Sequence, residues 1–299
     1  MDIRRNLAKV FLRALKYKAA RFEEDTKNPI KAQEAILAEF LSRNKNTEYG
    51  SKCNFAGIKT ISDYQTAVPL VDSEKMHEYL KRLAAGENGI LTSDKVIFFG
   101  ATSGTTGKPK WIPVTAYSKA KKTELMDLWS YYIYRDHPNV LDGKILAIIS
   151  PEEEGRTSSG MLYGAESGHE YKNLPIVIKN LYSIPYCVFE IADYMSRYYV
   201  MLRITMEENI STIATLNPST LVLMCGKISQ WSGRIIDDIK NGTLNNEFDI
   251  DPTIRKEIEK NLKPNTERAA ELKSIIDKTG ALLPKDFWPN LELIECWKG

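Results

Sequence analysis

The segment Phe99-Gly100-Ala101-Thr102-Ser103-Gly104-Thr105-Thr106-Gly107-Lys108-Pro109-Lys110 decides how the rest of the chain is read. It follows the short apolar run Lys95–Phe99 and precedes Trp111-Ile112-Pro113-Val114, which reads as extended. A glycine- and hydroxyl-rich loop between two strands is therefore expected. Gly104 and Gly107 lack the Cβ that would hold a ligand away from the backbone. Successive N–H groups in such a turn form an anion-binding nest. Ser103, Thr105 and Thr106 add hydroxyl donors, and Lys110 or Lys108 adds a compact positive charge. Several donors around one anion suit a polyphosphate better than a single carboxylate. Two other phosphate loops are excluded. The pattern G-x-x-x-x-G-K-[ST] needs glycine at Thr102 and a hydroxyl residue at Pro109. The G-x-G-x-x-G fingerprint is also unmet, and Pro109 opposes a helix starting directly after the loop.

Working outward, Lys144–Ser150 (KILAIIS) and Thr220–Cys225 (TLVLMC) are apolar runs of strand length that end at small residues. Helical stretches over Tyr117–Arg135 and Val188–Glu207 separate the three runs Lys95–Phe99, Lys144–Ser150 and Thr220–Cys225. Buried strands alternating with helices predict an α/β fold, a largely parallel sheet flanked by helices. Residues 1–90 read as a helical lead-in. Pro29 opens one helix; Asp72 or Ser73 caps another, which Gly86 terminates. Residues 227–240, 252–260 and 266–278 read as helices, and Asn290–Gly299 as a strand running into glycine. Residues 91–299 are thus expected to form the α/β core.

The chain has 299 residues, 43% hydrophobic and 27% charged, enough to bury a core without disulfide staples. Lys+Arg 41 against Asp+Glu 39 gives no whole-chain basic field, so nucleic acid is not an expected partner. Cys53, Cys187, Cys225 and Cys296 are scattered, which predicts reduced thiols and a cytoplasmic protein. No apolar run reaches the ~18–20 residues of a transmembrane helix. At the N-terminus, Ile3, Leu7, Val10, Phe11, Ala14 and Leu15 share a helical face, and Arg4, Arg5, Lys9, Arg13, Lys16, Lys18 and Arg21 occupy the rest. Such a helix covers a domain with its basic face solvated, or docks on an anionic membrane surface or a partner. His77, His137 and His169 are far apart, so no zinc site is expected. Glu152–Glu154 read as a solvated acidic turn, and Ser158-Ser159-Gly160 does not supply a hydrolase elbow.

Thr102–Lys110 resembles the phosphate loop of adenylate-forming enzymes, a superfamily that includes acyl-CoA ligases and peptide-synthetase adenylation domains. Within it, the chain is most similar to the auxin-responsive acyl acid–amido synthetases. Gln33–Tyr49 resembles that family's entry helix and the Asn/Glu/Tyr turn after it. Val68-Pro69-Leu70-Val71 precedes the helix ending at Gly86, as in the family. Leu244, Asp251-Pro252-Thr253-Ile254-Arg255 and Leu262-Lys263-Pro264-Asn265 resemble its later helical region, and Trp288-Pro289-Asn290-Leu291 its Trp-Pro-Asn strand entry.

The resemblance implies a two-step ligase. A carboxylic acid is activated by ATP as an acyl-adenylate, and an amine or amino acid then takes the acyl group as an amide. Thr102, Ser103, Gly104, Thr105, Thr106, Gly107 and Lys110 are implied to bind the nucleotide's phosphates, with Lys110 catalytic. Tyr163, Met224 and Cys225 are implied acyl-pocket residues, beside the helix that follows the loop. Asp127 aligns where plant members often carry an arginine for the substrate carboxylate. Mg2+ is an implied cofactor whose ligand belongs to a Tyr-x-x-Ser-Glu motif; neither that motif nor the family's Tyr-Arg-x-Gly-Asp motif occurs here, and Tyr134-Arg135-Asp136 is only an echo of the latter. The chain is therefore expected to be the N-terminal portion of the large adenylate-forming domain, without the C-terminal domain and inactive alone. An acyl-CoA ligase and a non-catalytic module that binds ATP or an acyl acid are the alternatives.

Overall fold

The computed structural model describes residues 3–102 and 110–297. The lead-in contains α1 (Ile3–Asp25), α2 (Pro29–Asn44), α3 (Glu48–Lys52), α4 (Ile61–Ala67) and α5 (Ser73–Ala84). Its helix starts are set locally. The side chains of Asn28 and Thr47 accept from the backbone N–H groups of Lys31 and Gly50. Thr60 and Asp63 form a reciprocal capping box, and Asp72 accepts from the Lys75 N–H. Gly86, with φ of +95°, turns the chain out of α5. Strands β1 (Val96–Thr102) and β2 (Lys110–Thr115) follow, then α6 (Ala116–Asp136). Next come β3 (Lys144–Ile148), β4 (Gly155–Arg156), β5 (Leu162–Gly164), α7 (Glu166–Asn173), α8 (Ile176–Lys179) and α9 (Tyr194–Thr205). The described elements end with β6 (Ile210–Thr215), α10 (Pro218–Asn241), α11 (Pro252–Glu259), α12 (Thr266–Thr279), α13 (Pro284–Phe287) and β7 (Leu293–Glu295).

The chain divides into two compact units, Met1–Arg135 with Glu152–Glu166, and Asp136–Pro151 with Ser167–Gly299. The first unit holds a four-stranded sheet in the order β2-β1-β5-β4. β1 runs antiparallel to β2 and parallel to β5, while β4 closes antiparallel on β5. Behind it Leu83 and Ala84 of α5 bury against Ile90, Val96 and Phe99. Each fully buried large apolar side chain of this kind contributes ~1.5–3 kcal/mol, so α5 is fastened to the strand that leads into the loop.

The second unit holds a parallel sheet in the order β3-β6-β7. Its core joins Leu146 and Ile213 to Tyr199, Met201, Met224, Ile228 and Ile235 on the surrounding helices. Arg203 is fully buried there. Its guanidinium donates to the carbonyls of Asp238 (3.0 Å) and Thr243 (3.3 Å) and pairs with Glu207. A buried charge is tolerable only when satisfied in this way. Tyr199 completes the network by donating to Asp238 at 2.6 Å.

The α/β class holds, and the purely parallel sheet lies in the second unit; the sheet carrying the loop is mixed because β1 and β2 are consecutive and pair as a hairpin. Two local expectations are corrected. Thr220–Cys225 is not a strand but part of α10, because Asn217 caps the Ser219 N–H and Pro218 sits at the first helical position. The helical stretch over Val188–Glu207 is a short 3-10 turn at Tyr186–Glu190 followed by α9. The central strand of this sheet is instead Ile210–Thr215 (ISTIAT), whose hydroxyls conceal a buried strand. Ser211 donates to the Val140 carbonyl at 2.6 Å, which makes a polar residue affordable inside the sheet.

Candidate functional site

The site is built on the β1–β2 hairpin. In its register Ala101 faces Trp111 and Thr102 faces Lys110. The two ends of the Thr102–Lys110 segment therefore stand side by side. Ser103, Gly104, Thr105, Thr106 and Gly107, with Lys108 and Pro109, lie outside the described residues. Lys110, the first residue of β2, is exposed.

The hairpin is braced by aromatic packing on one face. The Trp111 ring lies 5.6 Å from Phe99 and 5.3 Å from Tyr163. Phe99 and Tyr163 also face each other across β1 and β5. The Trp111 indole N–H is buried and has no hydrogen-bond partner among the described residues. On β4, a Cβ at Gly155 would lie 2.5 Å from the Tyr163 hydroxyl, so only glycine lets that ring lie flat across the strand.

Two glycines, Gly100 and Gly164, pair across β1 and β5. Beside them Lys122 of α6 and Glu166 of α7 make a 2.7 Å ion pair, and the Glu166 side chain lies near Gly100. Sequence reasoning missed this pair. Its members are distant along the chain, and no local pattern marks them. The start of α6 follows β2 directly: Thr115 and Ser118 exchange hydrogen bonds, Thr115 N–H to Ser118 Oγ at 2.9 Å and Ser118 N–H to Thr115 Oγ1 at 3.1 Å. One strand thus fixes both the loop's exit and the start of the helix expected to border an acyl pocket.

The three expected acyl-pocket residues occupy different surroundings. Tyr163 is half-buried in the first unit, against Trp111. Met224 and Cys225 are on α10 in the second unit; Met224 is only 2% exposed and packs in the core, while Cys225 is exposed. The Asp127 carboxylate is engaged by Lys18 of α1 at 2.7 Å. Tyr132 and Tyr134 face the same helix: Tyr132 donates to Glu23 at 3.3 Å, and Tyr134 meets Phe11 edge-on. These residues attach α1 to α6. The acidic turn is only partly solvated, because Glu152 is buried whereas Glu153 and Glu154 are exposed and Glu153 accepts from Arg156 at 3.1 Å. Among the described residues, no group of three or more His, Cys, Asp or Glu is placed to hold a metal ion. No described helix is long and apolar enough to cross a membrane.

Comparison with known proteins adds a family-scale match. The GH3 family N-terminal domain matches residues 18–299. Indole-3-acetic acid-amido synthetase GH3.2 of Arabidopsis thaliana is 26% identical over 291 residues, covering 93% of this chain and 53% of that protein. Jasmonoyl--L-amino acid synthetase JAR6 of Nicotiana attenuata is 25% identical over 286 residues, covering 91% and 49%. A solved structure of GH3.15 acyl acid amido synthetase shares the fold with a TM-score of 0.78 at 24% identity, over 93% of this chain and 50% of that one. The chain spans about half the length of the curated relatives it matches.

Proposed function

Because the chain belongs to the GH3 family, we propose that it supplies the triphosphate-binding part, and one wall of the acyl pocket, of an ATP-dependent acyl acid amido synthetase. In that reaction a carboxylate oxygen attacks the α-phosphorus of Mg·ATP and pyrophosphate leaves; an amine then attacks the acyl carbonyl, loses a proton, and AMP leaves. The observation that carries the reading is the pairing of Thr102 with Lys110. It brings together the ends of a segment rich in glycine, hydroxyls and lysine. Ser103, Thr105, Thr106 and the amides around Gly104 and Gly107 would donate to the β- and γ-phosphate oxygens. Lys110 would neutralise the charge that grows on departing pyrophosphate. Positioning and electrostatics do most of the work in phosphoryl-type chemistry, so no side-chain nucleophile is required. Magnesium enters this reading as part of the Mg·ATP substrate.

Of the expected acyl-pocket residues, half-buried Tyr163 on the first unit and exposed Cys225 on the second are each open to a ligand, whereas Met224 is buried in the second unit's core. A cytoplasmic setting fits four free cysteines, two of them buried. The reading is tested by acid-dependent exchange of labelled pyrophosphate into ATP, measured on the full translation product with a panel of aromatic and aliphatic acids. Exchange that requires an acid supports the ligase. ATP binding with no exchange across the panel would replace it with the non-catalytic binding module.

A further inference from the structure

Helix α1 has a second face that the ligase reading leaves unused. One side attaches it to the first unit. Leu15 and Ala19 are buried, Lys18 pairs with Asp127, and Phe22 meets Tyr132 edge-on. Val10 and Ala14, expected on the same face as Leu15, are instead exposed and line up with Tyr17 in an outward stripe, at the three- and four-residue spacing that aligns side chains along a helix. Val10 is 64% exposed and Tyr17 78% exposed. Lys9, Arg13, Lys16 and Arg21 flank this stripe, and all four are exposed.

The charge of this helix is not typical of the chain. Helix α1 holds seven of the 41 cations and three of the 39 acids, all three in its last turn at Glu23–Asp25, so the helix carries +4 and the other 276 residues −2. The family match begins at residue 18, after most of the stripe. The cations and exposed apolar groups at Lys9–Tyr17 therefore lie outside the segment shared with the family.

We propose that this outer face of α1 docks the protein on an anionic lipid surface. An interfacial helix needs an apolar strip to enter the headgroup region and flanking cations to meet anionic lipids. Tyrosine has an apolar ring and a polar tip suited to that boundary, and long basic side chains lay their stems along the strip while their heads stay in water. Charge complementarity selects the occupant: a cationic helix whose three acids all lie in its last turn, on an otherwise net-negative chain, seeks dense negative charge. A strip only one side chain wide favours a fluid headgroup layer over the shaped, broader apolar surface that a folded partner would need.

The test is flotation of the 299-residue chain with phosphatidylcholine vesicles, with and without phosphatidylserine at roughly one part in three. Binding is expected only with phosphatidylserine, and it should fall as ionic strength rises to about 1 M, where the Debye length is ~3 Å. The triple variant Lys9→Gln, Arg13→Gln, Lys16→Gln should lose about a hundredfold in partitioning, since each surface cation is worth ~1 kcal/mol at such a membrane. Its thermal midpoint, read in parallel, should match the parent because all three positions are exposed. Val10→Ser with Tyr17→Ser should weaken binding without changing its salt dependence. No binding to the anionic vesicles would overturn the proposal, as would binding that survives the triple substitution. Binding to polyglutamate in place of vesicles would overturn it in favour of an acidic protein partner.

Discussion

Gly164 and Gly233 lack a side chain for opposite reasons, and substitution separates them. A Cβ on Gly164 would lie 2.0 Å from the Glu152 carbonyl oxygen, so β5 can approach that turn only without one. Gly164→Ala should destabilise the chain by about 1–3 kcal/mol through overpacking. Gly233 sits exposed inside α10 with nothing within 4 Å of its built Cβ. There alanine removes only backbone freedom, and Gly233→Ala should stabilise by about 0.5–1 kcal/mol. Urea midpoints at constant slope read both signs; shifts of the same sign would contradict the placement of one glycine. In the sequence this segment drew notice only through Tyr163, as an implied acyl-pocket residue; that Gly164 beside it yields to a carbonyl was not legible, because Glu152 reaches it only through the fold.

At the scale of elements, helix starts are chemical and local, which made α2 and α5 readable, whereas the starts of α9 and α10 were missed although they are capped in the same way. Asn28, Thr47, Asp72, Asp193, Asn217 and Asp251 each cap the helix that follows with a side-chain acceptor. The same caps predict an acid limb in stability. Backbone N–H donors from Lys59 and Thr60 hold the Asp63 carboxyl below its ordinary value, and those of Thr253 and Ile254 do the same for Asp251. A lowered folded value means that the contribution is complete above the unfolded value of about 3.9 and is lost as pH falls through the folded one. Stability should therefore decline below about pH 4. Asp63→Asn with Asp251→Asn keeps an acceptor at both positions but removes the titration. That variant should show a shallower decline in thermal midpoint below pH 4 than the parent; an unchanged slope would show that other carboxylates set the acid limb. Strand β6 was not readable in the same way. Ser211, Thr212 and Thr215 interrupt its apolar pattern, and the bond that excuses Ser211 goes to Val140, far away in sequence. The TLVLMC run, being continuous and apolar, looked the better strand until the Asn217-Pro218 start placed it in a helix.

For the whole molecule, the chemistry is concentrated where it is most local. Loop, flanking strands and following helix form one uninterrupted stretch, Val96–Asp136, so motif and context were read together. Groups that depend on tertiary contact could not be read so. The Lys122–Glu166 pair, the Trp111 stack and the capture of Asp127 by Lys18 each join distant segments. The central claim is that Thr102–Lys110 holds the pyrophosphate end of ATP. Calorimetric titration of pyrophosphate into the 299-residue chain and into its Ser103→Ala, Lys110→Ala variant tests it most directly. Losing two such contacts, one of them charged, should cost a few kcal/mol or about a hundredfold in affinity. The account predicts saturable binding by the parent and a loss of at least about tenfold in the variant. Equal affinity in the two proteins, or no binding by the parent, would contradict it.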